Sequence, residues 1–163
     1  MPSRADQPGP AVRVAYVDVL VLRGTGASLQ VLCLRRGPQG RSPGSWECVH
    51  AHIDEGETPV ETARREVREE AGVEPGRLYN LSRVEAFYRH STNEVVLVPV
   101  FAAVVPDGAV VRLSKEHDEF AWLSPDAARE RILWPRVRRE IEDAVALLAS
   151  GGAEEAEDVL QVR

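Results

Sequence analysis

Val12, Val14, Tyr16, Asp18 and the run from Val19 to Leu22 are β-branched and apolar enough for a strand, and Gly24-Thr25-Gly26 ends it in a turn. A second strand from Leu29 to Leu34 pairs with it as a hairpin. Gly37 to Gly44 is rich in Gly, Pro and Ser and must be loop, after which Trp46 to Ile53 reads as a short strand running into a turn. Thr58-Pro59-Val60-Glu61 combines a capping box with proline at the first helical position, and Gly72 followed by Pro75 supplies the stop, which brackets a helix over 59–71. Leu81 to Arg89 and Glu94 to Val105 predict two more strands around the polar turn 90–93. A short strand from Glu119 to Leu123 leads into a helix from Ser124-Pro125 to about Ile132, and Trp134 to Ala149 predicts the last helix.

Composition narrows what such a chain does. The 163 residues are 44% hydrophobic and 28% charged, the balance of one soluble globular domain. Residues 1–10, with three prolines, read as a flexible leader without the apolar run of a signal peptide, 11–149 as the folded domain, and 150–163 as an acidic tail, disordered or at most a loosely attached helix. A net charge of -6 argues against a nucleic-acid duplex as partner, because phosphate neutralisation needs a basic excess. No stretch approaches a membrane span, and two cysteines, Cys33 and Cys48, fit a reducing compartment, so a cytoplasmic protein acting on a small molecule is expected. A homodimer is compatible with all of this.

The helix over 59–71 carries the chemistry. Val60, Ala63, Val67 and Ala71 fall within an arc of about 80°, the stripe that faces the core. Glu66, Glu69 and Glu70 occupy a neighbouring arc of about 100°. Carboxylates converging at i, i+3 and i+4 repel one another by a few tenths of a kcal/mol per exposed pair. A divalent ion offsets that repulsion, and hard oxygen ligands suit Mg²⁺ or Mn²⁺ better than Zn²⁺. The plainer reading is a solvated face with Glu61, Arg65 and Glu69 as an ion-pair ladder.

The wider pattern decides between them. Residues 51–73, AHIDEGETPVETARREVREEAGV, resemble the Nudix box: Glu57, Arg65, Glu66, Glu69, Glu70 and Gly72 match its fixed letters, and Val67 and Val73 its aliphatic ones. One letter departs, since Ala51, preceded by His50, stands where the family has glycine; a turn needing positive φ would be strained by alanine there. Leu113-Ser114-Lys115-Glu116-His117, leading into Phe120-Ala121-Trp122-Leu123, is similar to dihydroneopterin triphosphate pyrophosphatases and diadenosine tetraphosphate hydrolases within that family. The resemblance implies an α+β fold, a Nudix-like α-β-α sandwich with a mixed sheet, and a Mg²⁺-dependent hydrolysis (Mn²⁺ as substitute) of a diphosphate linkage in a nucleotide-like substrate, by water attack at phosphorus. It implies metal ligands among Glu66, Glu69 and Glu70. Arg65 orients a carboxylate, and Glu57 adds a ligand through water or fixes the loop.

Outside the box, Glu116 is expected to join the site as base or ligand; Glu119 is its neighbour in sequence, and strand alternation does not choose between them. Arg35 and Arg36 end a strand beside the expected cleft and are candidates for phosphate. Trp46 and Tyr88 are candidates to stack on a base or pterin, the alternative being core packing. His50 and His52 lack the further ligands of a zinc site. Two rival readings are a domain that senses nucleotide without cleaving it and an isopentenyl-diphosphate-isomerase-like enzyme, whose catalytic Cys and Glu find no clear match.

Overall fold

The computed structural model describes residues 9–163; most of the expected leader, 1–8, lies outside them. Among the described residues, nine strands and four α-helices form an α+β sandwich. The elements are β1 (Ala11–Val14), β2 (Tyr16–Arg23), β3 (Gln30–Arg36), β4 (Trp46–Glu47), β5 (Val49–His52), α1 (Pro59–Ala71), β6 (Arg77–Arg89), β7 (Glu94–Val104), β8 (His117–Leu123), α2 (Pro125–Arg131), α3 (Pro135–Leu148), α4 (Glu157–Leu160) and β9 (Gln161–Val162). The sheet runs β4-β3-β2-β7-β6-β9, with β1 on β7, β5 on β2 and β8 on β3. It is mixed, because β1 and β2 both run parallel to β7 while the other pairs are antiparallel.

Period-two alternation sorts the strands into two cores. Val17, Val19 and Val21 of β2, with Leu32 and Leu34 of β3, meet Ala63, Val67 and Ala71 of α1 on one face. Leu20 and Leu22, with Val31 and Cys33, meet Val137, Ile141, Ala144 and Leu148 of α3 on the other. The apolar stripe expected on α1 is thus the one that is buried.

The structure differs from the sequence reading in four places. The first expected strand divides at Ala15: β1 pairs β7 as Ala11↔Glu94 and β2 as Asp18↔Val100, a register change of one residue that turns the chain inward. The stretch 46–53 divides likewise, into β4 on β3 and β5 on β2. β6 starts earlier than expected, at Arg77, and carries an irregularity between Asn80 and Val84, where Ser82 sits at φ 54°. The acidic tail, expected to be disordered or at most a loosely attached helix, holds the short helix α4 and is docked: Ala153 and Leu160 are buried, β9 pairs with β6, and Glu157 accepts hydrogen bonds from the Tyr79 hydroxyl (2.8 Å) and the Ala153 amide (2.6 Å). Two apolar anchors and one buried tyrosine hydroxyl suffice to hold a segment whose composition alone reads as solvated. No helix among the described residues is long and apolar enough to cross a membrane.

Candidate active site

α1 is set rigidly at both ends. At its start the Thr58 hydroxyl accepts from the Glu61 amide (3.2 Å) and the Glu61 carboxylate accepts from the Thr58 amide (2.7 Å), the reciprocal pair foreseen from the capping box. At its end Gly72 adopts φ 66°, and a Cβ there would stand 2.7 Å from the Arg112 carbonyl oxygen, so both conformation and space demand glycine. That close approach matters for the site. The amides of Arg112 and Ser114 donate to the carbonyls of Ala71 (2.8 Å) and Glu70 (3.3 Å), and the Glu116 carbonyl accepts from Gly37 at the end of β3 (2.8 Å). Residues 112–116 are thereby stitched from the helix C-terminus to the sheet, which sets Glu116 against the carboxylates of α1.

Those carboxylates differ sharply in environment. Glu70 is 5% exposed; burial first, then the charges of Glu66, Glu116 and Glu47, hold its carboxyl well above the usual range, and its Oε2 is buried without a hydrogen-bond partner. Glu66 is raised by burial and by Glu69 and Glu116, partly countered by Arg65, whose Nη1 lies 2.5 Å from its Oε1. Glu69 stands at the rim with 58% of its side chain exposed. Arg65 also grips Glu57 in a bidentate pair (2.7 and 2.8 Å) while the Thr62 hydroxyl donates to the same carboxylate (2.8 Å), and these bonds hold Glu57 down at about 2. Both Glu57 oxygens are taken by these bonds, which clasp the loop to the helix.

Strand alternation separates the remaining candidates. Arg36 reaches the α1 side, where its Nη1 donates to Glu47 (2.9 Å), a 4% exposed carboxylate that also accepts from His117 Nε2 (3.0 Å). Arg35 points the other way and is neutralised by Asp118 (2.7 Å) and Glu119 (2.8 Å). This pairing also removes Glu119 from the cluster, leaving Glu116 there. Trp46, in register with Arg35, packs on the α3 side beneath the Arg131 guanidinium, 5.0 Å from the ring centroid. Tyr88 lies on β6, 56% exposed, its hydroxyl donating to Asn93 in the adjacent turn (2.9 Å). The structure therefore brings Glu66, Glu70, Glu116 and Arg36 together, keeps Glu69, Arg65 and Glu57 at their margin, and places Arg35, Trp46 and Tyr88 elsewhere. Ala51 sits in β5 opposite Val17, buried and without positive φ, so the alanine strains nothing.

Sequence reasoning missed two groups. Glu47 and His117 were legible only as a strand carboxylate and a loop neighbour of Glu116; their meeting depends on β4 and β8 flanking β3. Asp18, fully buried in the middle of β2, holds His50 Nδ1 (2.5 Å) and Arg136 Nε (2.9 Å), with Glu140 and Cys48 beside it. Its polar letter inside an apolar strand was the available signal. Arg136 already balances this trio's charge, so it does not compete with the α1 cluster for a cation.

Residues 12–145 match the NUDIX domain. The chain belongs to the Nudix family. Among its relatives, an octanoyltransferase of Myxococcus xanthus is 32% identical over 150 residues, 88% of this chain but only 39% of that protein, so the likeness spans well under half of the relative. A bis(5'-nucleosyl)-tetraphosphatase (asymmetrical) of Rattus norvegicus is 30% identical over 107 residues, 64% of this chain and 73% of the other. In fold, the chain superposes on the Ap4A hydrolase binary complex of C. elegans with a TM-score of 0.69 at 22% identity, covering 84% of this chain and 98% of that one.

Proposed function

We propose that this Nudix hydrolase cleaves a diphosphate linkage by water attack at phosphorus with Mg²⁺ held at Glu66, Glu69 and Glu70, and that dinucleoside polyphosphates lead its substrates, ahead of pterin and nucleoside triphosphates. The observation that carries the metal is the buried, unpartnered Oε2 of Glu70, whose carboxyl feels the negative charge of Glu66, Glu116 and Glu47: oxygen donors with excess negative charge fit a hard divalent ion. Such an ion, when bound, neutralises polyphosphate charge and acidifies water.

The chain's own groups do the rest. Arg65 fixes the Glu66 carboxylate from one side and the loop through Glu57 from the other, so that the ligands meet substrate already oriented. Glu116, held by its own backbone on the opposite wall, takes up the proton of the attacking water. Arg36, whose Nη1 bonds Glu47 and whose buried Nε has no partner, has donors left for a phosphate oxygen. The dinucleoside preference draws on the likeness to the rat tetraphosphatase and is the finer part of the reading.

The test is a panel of diadenosine tetraphosphate, dihydroneopterin triphosphate and nucleoside triphosphates with Mg²⁺ or Mn²⁺ in ¹⁸O-water, resolving both products. Turnover that EDTA abolishes and Mg²⁺ restores, with ¹⁸O in a phosphoryl product, is expected. Full activity after exhaustive chelation, or no ¹⁸O in any phosphate, would overturn the mechanism; faster cleavage of the pterin compound would overturn the substrate order alone.

A further inference from the structure

Far from the carboxylate cluster, the sheet ends in three strands, β1, β7 and β6, whose pairing lines up apolar side chains in rows. Val12, Val95 and Tyr88 form one row and Val14, Leu97 and Ala86 the next, because partners in register share a face. Val84 follows, opposite Pro99. Val12 is 65% exposed, Val84 59%, Tyr88 56% and Val14 52%. This face continues the one that carries Phe101 and Ala103, which α1 covers further along, but the helix stops short of the sheet's end. The opposite face is finished differently: Ala15, Val96 and Val98 are buried under Tyr16 and Phe87, and Arg13 and Arg89 pair with Glu94.

We propose that this face of β1, β7 and β6, exposed among the described residues, is a two-fold interface with a second copy of the chain. Size is the first argument. A half-exposed valine or tyrosine offers on the order of 60–120 Å² of apolar area, so the rows together present on the order of 500 Å². That exceeds the scattered apolar area of an ordinary monomer surface and equals the apolar share, about 60%, of the ~800 Å² that each partner gives to a standard interface. Charge is the second. No Lys, Arg, His, Asp or Glu stands in the rows, so nothing within them selects an acidic or basic partner. An uncharged sheet face is complementary to itself, and a two-fold axis brings it against its own copy as in sheet-on-sheet packing.

Sedimentation equilibrium of the full chain between about 1 and about 100 µM tests this. The expected mass is twice the 18.0 kDa of one chain, and Val14→Lys and Val84→Glu should each weaken association by about ten-fold or more while far-UV circular dichroism and Tm stay those of the parent. Should either charged variant unfold, Val14→Thr and Val84→Thr, which remove apolar area without adding charge, report the same weakening. A parent that stays monomeric throughout the range overturns the proposal. So does a dimer untouched by every variant, which would place the contact on another face, or a monomer that floats with phosphatidylcholine–phosphatidylserine vesicles, which would make the face a lipid-binding surface.

Discussion

Glu140 of α3 is fully buried against Asp18, and neither of its carboxyl oxygens receives a hydrogen bond from a donor. Burial, then the negative charge of Asp18 and a hydrogen bond to it, push Glu140 up to about 10, against an ordinary 4.5. In the folded protein at neutral pH it is therefore a neutral acid whose O–H donates to Asp18. Burial raises Asp18 as well, but its bond to His50 and the charges of His50 and Arg136 outweigh that and keep it ionised well below its ordinary range. The consequences for stability have opposite signs. Asp18 contributes stability above its ordinary pKa near 4, which is lost as acid protonates it. Glu140 binds a proton more tightly folded than unfolded, so its contribution is intact below 4.5 and falls as pH rises toward 10, by about 1.4 kcal/mol per pH unit. At pH 7 the accumulated cost is about 3 kcal/mol. Glu140→Gln removes it at nearly constant volume, and the amide N–H still donates to Asp18, so the variant should be more stable by about 2 kcal/mol at pH 7 after allowing for the weaker neutral donor. The gap should close near pH 4 and widen at pH 8. Urea unfolding of both proteins across pH 4–9 measures it. A gap that does not change with pH, or a variant less stable than the parent at pH 8, would refute the neutral-acid assignment.

Three further outcomes follow from the site. Glu70→Gln, which preserves volume while removing the most deeply placed of the carboxylates, should lower kcat by about 10² or more with Tm at or above the parent's, since a neutral amide relieves repulsion from Glu66 and Glu116; wild-type kcat would remove Glu70 from the ligand set. Glu116→Gln should cost about 10² in kcat, whereas Glu119→Gln, which removes one of the two partners of Arg35 away from the cluster, should cost less than about 2-fold; equal small effects would show that α1 works without its opposite wall. Ala51→Gly, which restores the family letter, should destabilise by about 1 kcal/mol in thermal melts without raising activity, because Ala51 is a buried strand residue; a faster enzyme would show that the alanine restricts this strand after all.

What was readable without coordinates was what the chain specifies within a few residues. The start, stop and apolar stripe of α1, the cluster of Glu66, Glu69 and Glu70, and the hairpin of β2 and β3 depend on hydrogen bonds and side-chain spacings of four residues or fewer, or on one short turn. The family motif is local for the same reason. Which side of the sheet a residue serves was not readable, because it depends on register with distant strands, and one-residue shifts such as those at Ala15 and between Arg35 and Arg36 break the alternation that would have told it. Alternation alone puts Arg36 and Arg35 on opposite sides, but which of them faces α1, and that Trp46 and Tyr88 fall away from the carboxylates, depends on the neighbouring strands. Glu116 could be named from resemblance, but only the bonds from residues 112 and 114 to the end of α1 bring it there. The Asp18–Glu140 pair and the folded tail belong wholly to tertiary structure: each joins groups more than 75 residues apart, and only burial turns an ordinary carboxyl into a neutral acid or an acidic tail into a strand.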